Sequence, residues 1–70
     1  MIELRVPERG RVSGRPLAEA GFPRGAIVGA VLRGEEVIIP SGEDTLRPGD
    51  NVVVFTVGAA VDKVERVFAP

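Results

Sequence analysis

The residues of this chain that could do chemistry are few, and their spacing is poor for catalysis. Asp50 follows Pro48-Gly49 and could act as an acid presented by a turn. The simpler role is that its carboxylate hydrogen-bonds the turn it closes, as Asp commonly does. No histidine exists, and no serine or second carboxylate stands where it would complete a nucleophile–base set with Asp50. Glu35-Glu36 and Glu43-Asp44 are acidic pairs that offer oxygen ligands to a hard cation, but neither sits in a twelve-residue calcium loop, so both read as solvated loop charge. With neither Cys nor His, the usual zinc ligands are missing, and disulfides are impossible. The catalytic set is therefore expected to be empty, with no metal and no cofactor.

The arginines are the more suggestive group. Arg5, Arg9, Arg11, Arg15, Arg24 and Arg33 crowd the N-terminal half. A guanidinium fork matches two oxygens of a phosphate or carboxylate at once, so these residues could meet a nucleotide or another anion. They also offset ten acidic residues, leaving a formal net charge of −1. That balance argues against a nucleic-acid binder, which carries a basic excess. The glycines form neither of the phosphate-cradling patterns, GxGxxG or GxxxxGK[ST]. Arg33 stands apart because it lies at the tip of an apolar hairpin.

The elements that must position these residues are short. Ile2, Leu4 and Val6 alternate with Glu3 and Arg5, which predicts a half-buried strand over 2–6 closed by Pro7. Ser13 could cap a short helix over 15–20, with Pro16 in its first turn and Leu17 and Ala20 facing inward. Gly21 would end that helix in the left-handed region, and Phe22 would fold back onto the core. Residues 26–32 are apolar on both parities, so both faces of this strand should be covered, with Gly29 leaving room for a close neighbour. Gly34 supplies a tight turn into a strand over 37–39. Pro48-Gly49 fits the centre of a type II turn before a strand over 51–57. Ala60, Val61, Val64, Val67 and Phe68 recur at helical spacing, which predicts an amphipathic helix over 59–68. The fold class expected is α+β: a small, mainly antiparallel sheet carrying two helices.

Seventy residues form one small domain, which buries only about 60% of the surface its unfolded chain exposes. Folding must offset roughly 1.5 kcal/mol of conformational entropy per ordered residue. With no disulfide or zinc available, the remaining route to stability is association. The two-sided apolar strands point the same way, toward a second copy or a larger protein, and the interface is expected to involve Val28, Val31, Ile38 and Ile39. No apolar run approaches the roughly 20 residues of a membrane-spanning helix, and the N-terminus does not read as a signal peptide, so the cytoplasm is the expected compartment.

Four segments then carry a resemblance. They are Gly14-Arg15-Pro16-Leu17-Ala18-Glu19-Ala20, Pro23-Arg24-Gly25-Ala26-Ile27-Val28, Val37-Ile38-Ile39-Pro40, and Asp44-Thr45-Leu46-Arg47-Pro48-Gly49-Asp50-Asn51-Val52-Val53-Val54-Phe55. In this order and spacing they resemble the TrkA-C domain, also called the RCK C-terminal domain, over nearly the whole chain. The resemblance implies a regulatory module that follows a nucleotide-binding domain in potassium uptake and channel proteins. It implies homodimers, sensing of a small ligand, and a membrane-embedded transporter or channel subunit as partner, so that the domain sits in the cytoplasm at the inner membrane. The chain would be the excised C-terminal domain of a longer protein, with Gly34, Pro48, Gly49 and Asp50 as structural turn residues. Some domains similar to these bind cyclic di-AMP through two aliphatics, an Asp, an Arg and an Asn. Ile27, Val28 and Arg33 match and form the expected ligand site, but Val31 and Ile39 stand at the Asp and Asn positions. An apolar side chain cannot replace those hydrogen bonds, which argues against cyclic di-AMP and leaves another small anion as the expected ligand. Two alternatives remain: a ligand-free dimerisation scaffold on another transporter, and the effector domain of a DNA-binding regulator.

Overall fold

The computed structural model describes residues 1–70. Four strands form one antiparallel sheet: β1 (Ile2–Arg5), β2 (Ala26–Arg33), β3 (Glu36–Ile38) and β4 (Asn51–Thr56). Their spatial order is β1-β4-β2-β3. The two most apolar strands, β4 and β2, take the centre, where both faces and both edges need partners. The shorter strands β1 and β3 take the edges. One α-helix, α1 (Val61–Val67), follows a 3-10 turn at Gly58–Ala60. The α+β architecture expected from the sequence is the one formed.

One face of the sheet builds the core. Val52 and Val54 of β4, Val31 of β2, and Val64, Val67 and Phe68 at the end of the chain are buried together with Val6, Val12, Ala20 and Leu46. Ile2 and Leu4 of β1 pair with Val54 and Val52 and pack on the rim of this cluster. The helix lies across it because Val64 and Val67 are three residues apart on one side, while Asp62, Lys63, Glu65 and Arg66 stay exposed. Phe22 meets Phe68 edge to face with ring centroids 5.8 Å apart, tying the segment before β2 to the end of α1.

The segment between β1 and β2 departs from the sequence expectation. In place of a helix over 15–20 there is a single 3-10 turn, Leu17–Glu19. Pro16 is extended (ψ 144°), and the chain around it is held by the loop that precedes β4. Ser13 bridges Leu46, Pro16 bridges Thr45, and the amides of Leu17 and Ala18 donate to the carbonyls of Asp44 and Gly42. These ties leave only a few residues before Gly21 turns the chain at φ +85°. Ser13 does not cap the turn; its hydroxyl donates to the Pro7 carbonyl at 2.7 Å. The strand limits also move slightly. β1 stops at Arg5, β2 extends to Arg33, β3 runs from Glu36 to Ile38, and β4 stops at Thr56. The terminal helix is shorter than 59–68 because its first turn is 3-10.

Gly29 interrupts the register between β2 and β4, where the pairing slips from Val28↔Val54 to Ala30↔Val53. The Phe55 ring lies over this glycine, so closely that a Cβ at position 29 would overlap its edge. The extra residue reverses the parity of β2, as a β-bulge does. Val28 and Val31, an odd interval apart, therefore both face the core side.

Leu46 is 1% exposed and joins the loop before β4 to the core. Leu46→Ala is expected to cost about 2–5 kcal/mol. In a domain whose core rarely supplies more than about 3–5 kcal/mol, much of the population should then be unfolded without denaturant. Urea unfolding followed by circular dichroism checks this.

Candidate functional site

Two features stand out once the chain is folded: an ordered ion pair at one end of the central strands, and an uncovered apolar sheet face. The ion pair follows from register. Leu32 pairs with Asn51, so the next position brings Arg33 to Asp50. The Arg33 guanidinium donates to both carboxylate oxygens, Nη2 to Oδ2 at 2.8 Å and Nε to Oδ1 at 3.0 Å. Asp50 also accepts the Arg47 amide at 2.9 Å, and the Asp50 amide donates to the Arg47 carbonyl, so the Pro48-Gly49 turn is closed twice. Gly49 supplies the turn's positive φ of +90°. Gly34, at φ +62°, turns the β2–β3 hairpin beside it.

The Arg33 guanidinium holds the Asp50 carboxyl below its ordinary pKa. The Arg47 amide adds to this, and burial opposes it. Arg33 is in turn raised by its hydrogen bond to Asp50. Asp50 is almost fully enclosed, while Arg33 keeps a quarter of its side chain in solvent. The pair joins β2 to the loop that leads into β4. It is a fastening, and Arg33 is not a free cation awaiting a ligand.

The residues read from sequence as a ligand site are not gathered on one face. Ile27 is 71% exposed on the outer face, opposite Phe55. Val28 is half-buried against the core side, lining a small cleft of about 230 Å³ with Leu17 and Phe22. Arg33 is held by Asp50. Among the expected interface residues, Val31 is only 1% exposed and belongs to the chain's own core, which corrects its assignment to an interface. Val28 and Ile38 are half-buried against that core, whereas Ile39 is exposed. The acidic pairs lie on exposed loops, where Asp44 accepts the Ser41 amide at 2.7 Å.

The outer face is apolar and bare. Ile27, Val37, Ile39, Phe55 and Val57 are each more than half exposed. Ile27 pairs with Phe55 and Leu32 with Val37 across neighbouring strands, so the patch is continuous over β4, β2 and β3. The excess of apolar strand is thus exposed at Ile27, Val37, Ile39 and Phe55, while Val28, Val31 and Ile38 of the expected interface turn to the core. The alternation of β3 and β4 carried the signal, because Val37 and Phe55 stand one residue out of phase with Ile38 and Val54.

A family model described as "TrkA-C domain" matches residues 1–69. This chain belongs to the TrkA-C family. It is 41% identical over 68 residues to "Trk system potassium uptake protein TrkA homolog 1" of Methanosarcina mazei, covering 97% of this chain and 15% of that protein. It is 29% identical over 70 residues to "Trk system potassium uptake protein TrkA" of Mycobacterium tuberculosis, covering all of this chain and 32% of that protein. The TrkA-C chain thus spans a third or less of the length of these relatives. A solved structure described as "Structure of RCK domain with cda" superposes with a TM-score of 0.76 at 21% identity, covering 99% of this chain and all of that one. At that identity the likeness shows a common fold.

The Arg33–Asp50 pair predicts an acid dependence of definite sign. The folded-state pKa of Asp50 lies below its unfolded value, so the pair's stabilisation is complete above the unfolded carboxyl range and is lost as pH falls through the folded value. Arg33→Ala should raise the Asp50 pKa and move the onset of acid unfolding to higher pH, as measured by NMR titration of the Asp50 carboxyl. An unchanged Asp50 titration would show that the guanidinium is not the cause.

Proposed function

We propose that this TrkA-C domain is the regulatory module of a potassium transport protein, working through homodimerisation and the sensing of a small ligand. The observation that carries the reading is the bare apolar face on a domain whose relatives are Trk system potassium uptake proteins. A contiguous exposed patch of this kind marks an interaction surface. A second copy supplies a face of the same character, and two-fold symmetry would set each patch against its equal. The Phe55 ring over Gly29 gives the centre of the face a large aromatic anchor of the type that dominates interfaces.

In this reading the module acts through its parent protein on a membrane-embedded potassium transporter or channel subunit, on the cytoplasmic side of the inner membrane. A ligand regulates by binding one arrangement of the pair better than another, since only differential affinity moves an equilibrium. The module is regulatory, not catalytic. Its one ion pair, Arg33 with Asp50, is neutralised within the chain. The commitment of Arg33 to Asp50 also supports a ligand other than cyclic di-AMP.

Sedimentation equilibrium at micromolar concentration tests the pairing. The unmodified chain is expected to be a dimer, and Phe55→Asp or Ile27→Asp should return it to a monomer by burying a charge at the contact. Glu65→Ala, on the exposed side of α1, should leave the dimer unchanged. A monomer at all accessible concentrations would overturn the pairing. A dimer that shows no thermal shift with any small anion would reduce the module to a ligand-free scaffold.

A further inference from the structure

A broad concavity, larger than the cleft beside Val28, lies away from Arg33 and has an unusual charge. Its volume is about 690 Å³, within the range of small-molecule sites. Arg11, Arg24, Lys63 and Arg66 line it, and none of the ten acidic residues does. These cations come from three separate parts of the chain: the connection after β1, the turn before β2, and α1. On α1, Lys63 and Arg66 are three residues apart and share one side of the helix. Gly21 lies between the first two segments and beside Arg11: a Cβ there would stand in ordinary contact with the Arg11 guanidinium, at 3.6 Å from Nη1. Val57, Ala59, Ala60 and Val67 supply apolar wall.

All four cations are uncommitted. The chain's one ion pair is Arg33–Asp50, and no side chain of the four donates a hydrogen bond to a protein acceptor. Solvated surface charge accounts for isolated arginines, and the helix dipole accounts for Arg66 in the last turn of α1. Neither explains four like charges converging on one concavity with no counter-charge in it. Like charges so gathered repel, and a concave low-dielectric wall focuses their potential toward an anion. Guanidinium forks and an ammonium together suit phosphate oxygens, the forks as bidentate donors and the lysine as a point charge. Four cations also call for an anion carrying more than one charge.

We propose that this groove is a binding site for a small soluble polyphosphate anion, held by Arg11, Arg24, Lys63 and Arg66. Binding stands on the groove alone. Its use as a regulatory signal rests on the reading of the module as a ligand sensor.

The test is a titration of the isotopically labelled chain with pyrophosphate at low ionic strength, read by amide NMR, beside co-sedimentation with phosphatidylglycerol vesicles. Saturable shifts confined to the amides around Arg11, Arg24, Ala59, Lys63 and Arg66 are expected, weakening as salt is added. Arg24→Ala and Lys63→Ala should each weaken pyrophosphate binding about tenfold, on the scale of one lost hydrogen bond to a charged group. Arg5→Ala removes the same charge from β1, outside the groove, and should leave binding unchanged; thermal melts confirm that each variant is folded. The proposal is overturned if pyrophosphate shifts do not saturate in the millimolar range, if Arg5→Ala weakens binding as much as Arg24→Ala, or if vesicles bind while pyrophosphate does not. Measuring the oligomeric state of the unmodified chain beside its titration separates the two readings. A monomeric chain that binds pyrophosphate keeps the site and overturns the pairing, and a dimeric chain that does not bind does the reverse.

Discussion

A sheet has two faces, and in this chain the remaining polypeptide covers one. The constraint is set at β4 and β2, which are apolar on both parities and so cannot turn a polar side to water. Alternation puts Val52, Val54 and Val31 inward, where α1 and the long connection after β1 enclose them. The same alternation puts Phe55, Ile27 and Leu32 outward, and nothing in the chain returns to that side. A seven-residue helix and a connection with one turn of 3-10 helix have no further surface to offer. Within these seventy residues the bare face therefore follows from strand composition.

Besides the helix, the covered side is held by the mutual support of two irregular segments. Of the 33 backbone hydrogen bonds, 14 lie outside strands and helices. Several of these tie residues 13–18 to residues 42–46. Each segment would be unstable alone, having no internal ladder to satisfy its amides and carbonyls. Together they form a lid over the core edge, pinned by Leu46 and Val12 beneath. The Arg33–Asp50 pair closes the other end of this arrangement, joining the hairpin tip to the turn that launches β4. The ion pair is partly solvated, so its value lies in fixing the register of β2 against that turn more than in raw Coulomb energy.

Much of this was legible in the sequence because local rules and tertiary demands agree there. The strands, the turns at Gly34 and Gly49, the left-handed Gly21 and the docking of Phe22 each follow from residue type and position. The failures have physical causes. The helix expected over 15–20 gave way because its amides found partners in a distant loop, which no local pattern reports. Apolar residues on both parities of β2 do not show which of them face inward, and the slip at Gly29 turns Val31 to the same side as Val28, into the core. The Arg33–Asp50 contact spans 17 positions and becomes readable only once Leu32 is known to face Asn51. The cationic groove was half visible. The arginine excess was plain, but its convergence with Lys63 and Arg66 needed the fold to bring three segments together.

The groove and the bare face meet at one residue. Val57 continues the outward parity of Val53 and Phe55, stands 58% exposed, and also lines the groove. Its amide donates to the Gly25 carbonyl at 2.9 Å, and a Cβ on Gly25 would come within 2.7 Å of its Cγ2. Glycine at position 25, at φ +86°, thus lets Val57 pack against the turn that carries Arg24. An anion held by Arg24 and α1 would bear on the same turn. Binding there can move a pairing equilibrium only if the turn sits differently in the paired and unpaired forms. Val57 is the side chain through which such a difference would be felt, because it is the point where the wall of the groove becomes the margin of the sheet face.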